Sequence, residues 1–358
     1  MKARHVAWLA IVLAMLLAAC GQAAPAAPTQ APVGAAPKTE GTAKVEYPTM
    51  AFKAGTPLQE QHNIGLALAE FARNMSETSG GKATVEIFYN GMLVTGKTEL
   101  EGISKGVVDF GSIVSAYHAG ELPFFDEAAL MPLLYNYKSL PVLFPKVKSH
   151  LEQELAVHRI RLLAHYPTTV GFFFPKPIDP KNPDFTGLKM RSVGGGMTSM
   201  IRQFGGSTVD MPSPEVPVAL RTGIIQALGT SYMTWSAIGI MEDVPYAYYS
   251  DDFASFTLLL GMSADRYAQL PPVVKQLIDR AALASERWIY ENAKRQDLEV
   301  MEKAQRNPKI KLHELTPDEV KVWREKMQPV YDDFAKRYAD KGAQLVKFAK
   351  DALAETSK

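Results

Sequence analysis

The sequence predicts an α/β fold with two lobes and a long C-terminal helix across them. Two separate stretches, beginning near Val45 and near Gly171, alternate strand patterns with helix patterns and short links, an order typical of a sheet covered by helices. Residues 272–306 keep a helical pattern with hardly a break, which is best explained as a brace. Two α/β blocks imply two lobes with a cleft between them.

The first block alternates helix and strand. Apolar residues at helical spacing predict a helix over residues 64–75. Residues 84–89 are rich in β-forming side chains and end in an Asn-Gly turn signal at 90–91. A helix over residues 98–105 and an apolar strand over residues 107–114 follow. This order predicts a parallel sheet.

The second block repeats the alternation at short intervals. Its predicted strands cover residues 187–191, 207–211 and 224–228, and its predicted helices cover residues 197–204 and 216–221. After the long helix come a strand-like stretch at residues 310–313 and a helix from 318 to about 353.

The order of these elements predicts which segments form each lobe. Residues 44–169 together with about 256–298 are expected to form lobe I, and residues 170–255 together with about 299–352 to form lobe II. The lobes should therefore be mixed α/β units, joined where the chain passes from one to the other.

Composition gives no support for nucleic-acid binding. The 358 residues include 39 Lys and Arg and 38 Asp and Glu, a formal net charge of +1, whereas nucleic-acid binding needs a strongly basic face. The hydrophobic content of 47% and the charged content of 22% are typical of a soluble globular protein.

The N-terminus has the pattern of a bacterial lipoprotein signal. Lys2 and Arg4 precede an apolar run over residues 6–19, which is too short to span a bilayer, and Cys20 follows it. Leu17-Ala18-Ala19-Cys20 resembles a lipobox, in which the Cys is acylated, and Cys20 is the one Cys of the chain. The alternative is a plain signal peptide with an incidental Cys.

A membrane-attached, extracytoplasmic protein follows from the lipoprotein interpretation. Residues 1–19 would be the signal peptide, and residues 20–43, rich in Ala and Pro, would be a disordered linker from the lipid anchor to the folded part. Such a protein would lie in the periplasm or at the cell surface.

Three segments carry a specific order of motifs. The first has Gly80-Gly81-Lys82, then an apolar strand to Asn90-Gly91-Met92-Leu93. The second has Gly187-Leu188-Lys189-Met190-Arg191 and then Met211-Pro212, Glu215, Ala219-Leu220 and Thr222-Gly223. The third has Leu312-His313-Glu314-Leu315 and Pro329-Val330-Tyr331. Together they resemble the solute-binding proteins of TRAP transporters, the DctP family.

The resemblance implies a periplasmic-binding-protein fold that closes on a small organic anion, usually a carboxylate, and delivers it to the permease subunits of a TRAP transporter. No cofactor, metal ion or catalytic residue is implied. By motif match, Arg191 is the family's carboxylate-binding arginine. It also lies at the carboxyl end of a predicted strand, and a guanidinium matches a carboxylate with two parallel hydrogen bonds. The alternative is an Arg paired with a local acid.

The sequence departs from the family pattern at several positions. A second ligand-facing arginine is replaced within the run 171–174, Gly-Phe-Phe-Phe, and Ser213 stands where an aromatic often follows Met-Pro. These departures favour a monocarboxylate with an apolar or aromatic body. Further candidate ligand contacts are Phe173, Tyr117 and Trp235 as walls, Ser213 and Thr230 as hydroxyls, and Asn90 and Met92 on the side of lobe I.

Three other functions have less support in the sequence. Gly194, Gly196 and Ser199 partly match a dinucleotide fingerprint, a weak signal for phosphate binding at a helix N-terminus. An exported hydrolase lacks support because no nucleophile or metal motif is present. His118 and His165 are candidate pocket residues, although a core or surface position is the commoner one for a histidine. A receptor that presents its ligand to a sensor kinase would have the same binding lobes, so the sequence does not separate it from a transport receptor. The pair Asp251-Asp252 is expected in a solvated turn.

Overall fold

The structure is a computed structural model that describes residues 45–356. The predictions about the signal peptide, Cys20 and the linker concern residues 1–43 and lie outside the described residues. The described chain forms nine strands and eleven α-helices. In chain order these are β1 (Met50–Gly55), α1 (Asn63–Thr78), β2 (Ala83–Phe88), α2 (Glu99–Ser104), β3 (Phe110–Val114), α3 (Pro123–Ala129), α4 (Leu140–Val157), β4 (Ile160–Phe174), β5 (Lys189–Ser192), α5 (Gly195–Gln203), β6 (Ser207–Asp210), α6 (Val216–Arg221), β7 (Ala227–Ser231), α7 (Tyr232–Ala237), β8 (Tyr246–Ser263), α8 (Ala264–Gln269), α9 (Pro272–Gln305), β9 (Lys311–Glu314), α10 (Pro317–Arg337) and α11 (Ala339–Thr356).

The strands form one mixed sheet in the order β2-β1-β3-β8-β4-β7-β5-β6, with β9 paired to β8. Strands β1, β2 and β3 run parallel to one another, as do β5, β6 and β7. Between these two parallel groups, β8 and β4 pair antiparallel with each other and with their neighbours β3 and β7. The predicted α/β class is confirmed, and the sheet is mixed because the antiparallel pairs β3-β8, β8-β4 and β4-β7 separate the two parallel groups.

Strands β4 and β8 join the two parallel groups, and the sequence did not predict them. Strand β4 has 15 residues and β8 has 18. Their pairing shifts register at three places, one of them between Tyr166 and Thr168. Pro167 lies at that shift. Proline has no backbone N–H, and because the pairing is interrupted at this position, no ladder hydrogen bond is lost. A proline in the middle of a strand pattern argues against a strand, which is why the sequence pattern concealed β4.

The pair Asp251-Asp252 is part of β8, so the prediction of a solvated turn was wrong. Both carboxylates form ion pairs: Asp252 contacts Arg324 of α10 at 2.6 Å, and Asp251 contacts Lys294 of α9. The backbone oxygen of Asp252 also accepts a hydrogen bond from Leu133 at 2.8 Å. The residues lie where β8 bulges away from β4, and a bulge of this kind leaves residues free to contact the covering helices.

The long C-terminal helix is confirmed. Helix α9 has 34 residues, about 51 Å at 1.5 Å per residue. It packs on α1 and β4, and also on α7 and β9, so it contacts elements next to both parallel groups of strands.

The last predicted helix is two helices. Helices α10 and α11 pack against each other, and Ala339 between them has φ +48°, in the left-handed region. A Cβ at Gly342 would lie 2.7 Å from the carbonyl oxygen of Phe334, so glycine allows the close approach of the two helices. A left-handed Ala is uncommon, and its sequence gives no turn signal.

Candidate functional site

Arg191 lies in β5, in the middle of the parallel group β6-β5-β7. Its guanidinium donates to four neutral oxygens at the ends of the neighbouring strands. Nε donates to the Met211 carbonyl at 3.2 Å, and Nη1 donates to the Thr230 hydroxyl at 2.9 Å and the Gly229 carbonyl at 3.4 Å. Nη2 donates to the Ser213 hydroxyl at 3.3 Å. The carboxyl ends of three parallel strands therefore hold this side chain.

The charge of Arg191 has no counter-ion among the residues that the structure describes. The side chain is 1% exposed, and no carboxylate of residues 45–356 lies within ion-pair distance of it. Burial lowers the pKa of Arg191, while Tyr117 and Asp210 act in the opposite direction. A buried arginine stays protonated, so the site holds a buried positive charge without an ion-pair partner among residues 45–356. The alternative of an arginine paired with a local acid is therefore not what the structure shows.

Arg191 lines a cavity of about 430 Å³, the open space at its mouth included. The apolar lining residues come from both parallel groups of strands and from the long strands between them: Leu58, Val114, Ala116, Leu130, Val170, Val193 and Leu258. The hydroxyl-bearing lining residues are Tyr117, Thr168, Ser213, Thr230, Ser231, Thr234 and Thr257, and His62 completes the wall. Among the described residues, Arg191 is the one Arg or Lys in this wall, and no Asp or Glu lines it.

Tyr117 lies between this cavity and two neighbouring ones. Two adjoining cavities, of about 440 and 680 Å³, also have Tyr117 in their walls. The larger of them contains Asn90, whose φ of +57° is followed by +75° at Gly91. This confirms the predicted Asn-Gly turn. A Cβ at Gly96 would overlap the ring of Tyr117, so glycine at this position allows the ring to pack directly against the backbone.

His62 brings a neutral polar group to the wall. It is the N-cap of α1, where its Nδ1 accepts a hydrogen bond from the Ile64 N–H at 3.3 Å. Burial lowers the pKa of His62 to about 4, so the ring is neutral at physiological pH. Its Nε2 lies 3.4 Å from the hydroxyl of Ser231, which caps α7 by accepting from the Thr234 N–H at 3.2 Å.

Five of the predicted ligand residues come together here. Arg191, Tyr117, Ser213 and Thr230 line the cavity, and Asn90 lines its outer extension. Phe173 and Trp235 instead stack on each other in the core, with ring centroids 4.5 Å apart, and both are 0% exposed. Met92 is 72% exposed and lines none of the three cavities. The structure thus places these last three side chains away from the site.

Several lining residues escaped the sequence reasoning. Thr168 and Val170 lie in β4, and Thr257 and Leu258 lie in β8, so they were missed with their strands. His62 offered a usable signal, since it directly precedes a strongly amphipathic helix at the position of an N-cap. Ser231 is the last residue of β7 and Thr234 lies just after it, at the carboxyl end where ligands bind to open α/β sheets.

The glycine run 194–196 serves helix packing, contrary to a role in phosphate binding. The N–H of Gly195 donates to the Asp126 carboxylate at 2.8 Å, so a carboxylate of the protein already occupies the N-terminus of α5. A Cβ at Gly196 would overlap the carbonyl oxygen of Leu130, which shows how closely α5 and α3 approach. The fingerprint is therefore explained without a nucleotide.

The two buried histidines considered for the pocket are satisfied inside the protein. His118 contacts Glu121 at 2.8 Å and Glu99 at 3.1 Å. His165 stacks on Phe144 and bonds to the Tyr290 hydroxyl. Within residues 45–356, no group of three or more His, Cys, Asp or Glu side chains could hold a metal ion, and no described helix is long and apolar enough to cross a membrane.

The fold is that of extracytoplasmic solute-binding proteins. A Bordetella pertussis receptor, DctP7, described as binding pyroglutamic acid, aligns with a TM-score of 0.76 at 22% identity, over 84% of this chain and 99% of that one. The ectoine-binding protein of the TeaABC TRAP transporter of Halomonas elongata gives 0.77 at 20% identity, over 86% and 100%. These likenesses establish the fold and confirm its predicted class.

Sequence comparison gives the family. The C4-dicarboxylate-binding periplasmic protein DctP of Rhodobacter capsulatus is 24% identical over 305 residues, 81% of this chain and 87% of the relative. The profile of bacterial extracellular solute-binding protein family 7, DctP, matches residues 54–337. The chain belongs to this family, which confirms the resemblance drawn from its motifs and the expectation of an extracytoplasmic solute receptor.

We expect Gly196→Ala to destabilise the protein. Alanine normally stabilises a helix relative to glycine, but here its methyl group would overlap the Leu130 carbonyl, and overpacking of this kind costs about 1–3 kcal/mol. Chemical unfolding measures the loss. Gly120→Ala is the matched control, because nothing lies within 4 Å of a Cβ there. Equal stability of both variants would show that α5 and α3 are not in this contact.

Proposed function

We propose that this protein captures a small organic acid by binding its carboxylate to Arg191 and delivers it to the permease subunits of a TRAP transporter, without a catalytic step. The observation that carries the proposal is the buried guanidinium with neutral partners only. A buried charge without a counter-ion is costly. A ligand carboxylate supplies the missing charge, so the site is built to be completed by an anion.

The geometry of the guanidinium supports a carboxylate as that anion. Nη2 donates to the Ser213 hydroxyl at 3.3 Å, and the Tyr117 side chain also hydrogen-bonds to the guanidinium, so a ligand carboxylate would replace neutral hydroxyl acceptors. Charge-assisted hydrogen bonds to a carboxylate are about twice as strong as neutral ones. A ligand carboxylate would therefore bind the guanidinium more strongly than the hydroxyl acceptors do. Relatives of this fold are described with malonate and with galacturonate bound, and both of these ligands are carboxylates.

The remaining wall supports a monocarboxylate with an apolar body. Arg191 supplies the positive charge, and the side chains of Val114, Val170 and Leu258 supply apolar surface. The ring of Tyr117 is the aromatic wall in this proposal, while the Phe173–Trp235 stack supports the fold from behind β7. With the open space at its mouth included, the cavity is about 430 Å³, which suits a small-molecule ligand.

We further propose that the two predicted lobes close around the ligand by bending at β4 and β8. The proposed boundaries, 169/170 and 255/256, fall next to the register shift between Thr169 and Gly171. Ladder hydrogen bonds are interrupted at such shifts, so the strands can bend there at lower cost. Thr168 and Val170, which flank this place, line the cavity, and ligand contacts would therefore bias the hinge.

Closure predicts that a saturating ligand reduces the radius of gyration. A ligand favours the closed state only through contacts made in that state, and the cavity takes its walls from both proposed lobes. Small-angle scattering with and without ligand measures this change, and Arg191→Ala at the same acid concentration is the control. An unchanged radius at proven saturation would contradict hinge closure.

The role of Arg191 has a direct test. Thermal shift and calorimetry against aliphatic, 2-oxo, aromatic and sugar acids should identify one class that binds. Arg191→Ala should weaken the binding of that acid at least about 30-fold, since truncating one partner of a buried charge pair costs about 2–5 kcal/mol of binding free energy. Arg191→Lys should fall between, because lysine keeps the charge and loses the planar fork.

The control for this test is Arg202→Ala. Arg202 is an exposed arginine of α5 whose side chain bonds only to Thr208, at 3.4 Å, so its loss should leave affinity unchanged. An acid that binds Arg191→Ala as tightly as the wild type would move the anion site elsewhere. Binding of neutral or phosphorylated compounds alone would refute the carboxylate proposal.

We also propose that Cys20 is acylated and that residues 20–43 tether the domain to a bacterial membrane. The proposal rests on the apolar run that ends in Leu17-Ala18-Ala19-Cys20. Intact mass of the membrane-extracted protein should show a diacylglyceryl adduct, and Cys20→Ser should release the protein into the soluble fraction. A mature wild-type protein without the adduct would remove the anchor.

A further inference from the structure

His62 has a fixed tautomer because of its place in the fold. It caps α1, and its Nδ1 accepts the Ile64 N–H at 3.3 Å. A ring nitrogen that accepts a hydrogen bond carries no proton, so in the neutral ring the proton is on Nε2. The side chain is 4% exposed and lines the same cavity as Arg191. The helix cap thus presents one neutral N–H donor at the cavity wall.

This donor has only a weak partner inside the protein. Nε2 lies 3.4 Å from the Ser231 hydroxyl, at the long limit of a hydrogen bond. That hydroxyl is already engaged, because it accepts from the Thr234 N–H at 3.2 Å and donates to the Thr234 hydroxyl at 2.9 Å. A buried donor with such a partner gains by meeting a better acceptor. The cavity is where such an acceptor would enter.

The wall near His62 offers hydrogen bonds and no second positive charge. Ser231, Thr234, Thr168 and Thr257 line the cavity with hydroxyl groups, and burial holds the His62 ring neutral. A second carboxylate at this wall would be buried without a cation, which is unfavourable. An uncharged oxygen carries no such penalty and still accepts a hydrogen bond.

We propose that His62 is a specificity-determining residue, whose Nε2–H donates to an uncharged oxygen in the body of the ligand. The receptor then selects acids that carry one carboxylate and a hydroxyl, keto or amide oxygen, and it discriminates against dicarboxylates. This inference rests on the proposed function, in which Arg191 binds the carboxylate. His62 would contact the part of the ligand that Arg191 does not contact.

The test uses five-carbon acids that differ in one group: pentanoate, 4-oxopentanoate, 5-hydroxypentanoate and glutarate. The variant is His62→Asn, since asparagine is a good N-cap that can still accept the Ile64 N–H but is too short to replace Nε2. Calorimetry measures affinity, and thermal unfolding checks that the cap is kept. His158→Gln is the control, a histidine that does not line the cavity.

The wild type should bind the oxo acid or the hydroxy acid about five- to tenfold more tightly than pentanoate and glutarate, a typical value of one neutral hydrogen bond. In His62→Asn this preference should disappear while the affinity for pentanoate stays the same. A preference that survives in His62→Asn, or a wild type that prefers glutarate or shows no preference, would overturn the role of His62. Full binding by Arg191→Ala would instead overturn the proposed function.

Discussion

The buried guanidinium of Arg191 is the interaction on which the site depends. It gathers the Met211 carbonyl, the Ser213 hydroxyl and the Thr230 hydroxyl around one charge, and so ties the ends of three parallel strands together. Neutral acceptors hold the side chain in place, but they do not neutralise it. The site is therefore rigid in geometry and incomplete in charge, a combination that suits reversible capture of an anion.

Close packing behind the strands fixes where that charge lies. A Cβ at Gly229 would overlap the Met197 sulfur, so α5 can rest directly on β7, whose backbone carries an Arg191 acceptor. At the other side of α5, Gly196 approaches the carbonyl oxygen of Leu130, and the Leu130 side chain forms part of the cavity wall. One short helix thus connects the position of Arg191 to the shape of the cavity.

The sequence predicts the parts of this site that depend on local pattern. Arg191 ends a short apolar strand within a specific motif, and the α9 helix follows from uninterrupted periodicity. The strands β4 and β8 escape, because Pro167 and Asp251-Asp252 break their patterns and only tertiary pairing and ion pairs compensate for this. Aromatic content could not show that Phe173 of β4 stacks on Trp235 of α7, since the core and the cavity wall are built from the same kinds of residue.

In the proposed hinge closure, the walls of the cavity would link ligand binding to the arrangement of the two lobes. His62 belongs to α1 and Tyr117 follows β3, whereas Arg191 and Thr230 belong to the other parallel group. Within the sheet, the two sets are joined through β4 and β8, where the register shifts interrupt the ladder. A ligand that contacts both sets gains its full binding energy only when they are close, and this difference in affinity is what shifts a population between two states. In the proposed mechanism, an acid held by Arg191 alone would bind without favouring closure, so the contacts opposite Arg191 would couple ligand binding to the hinge motion.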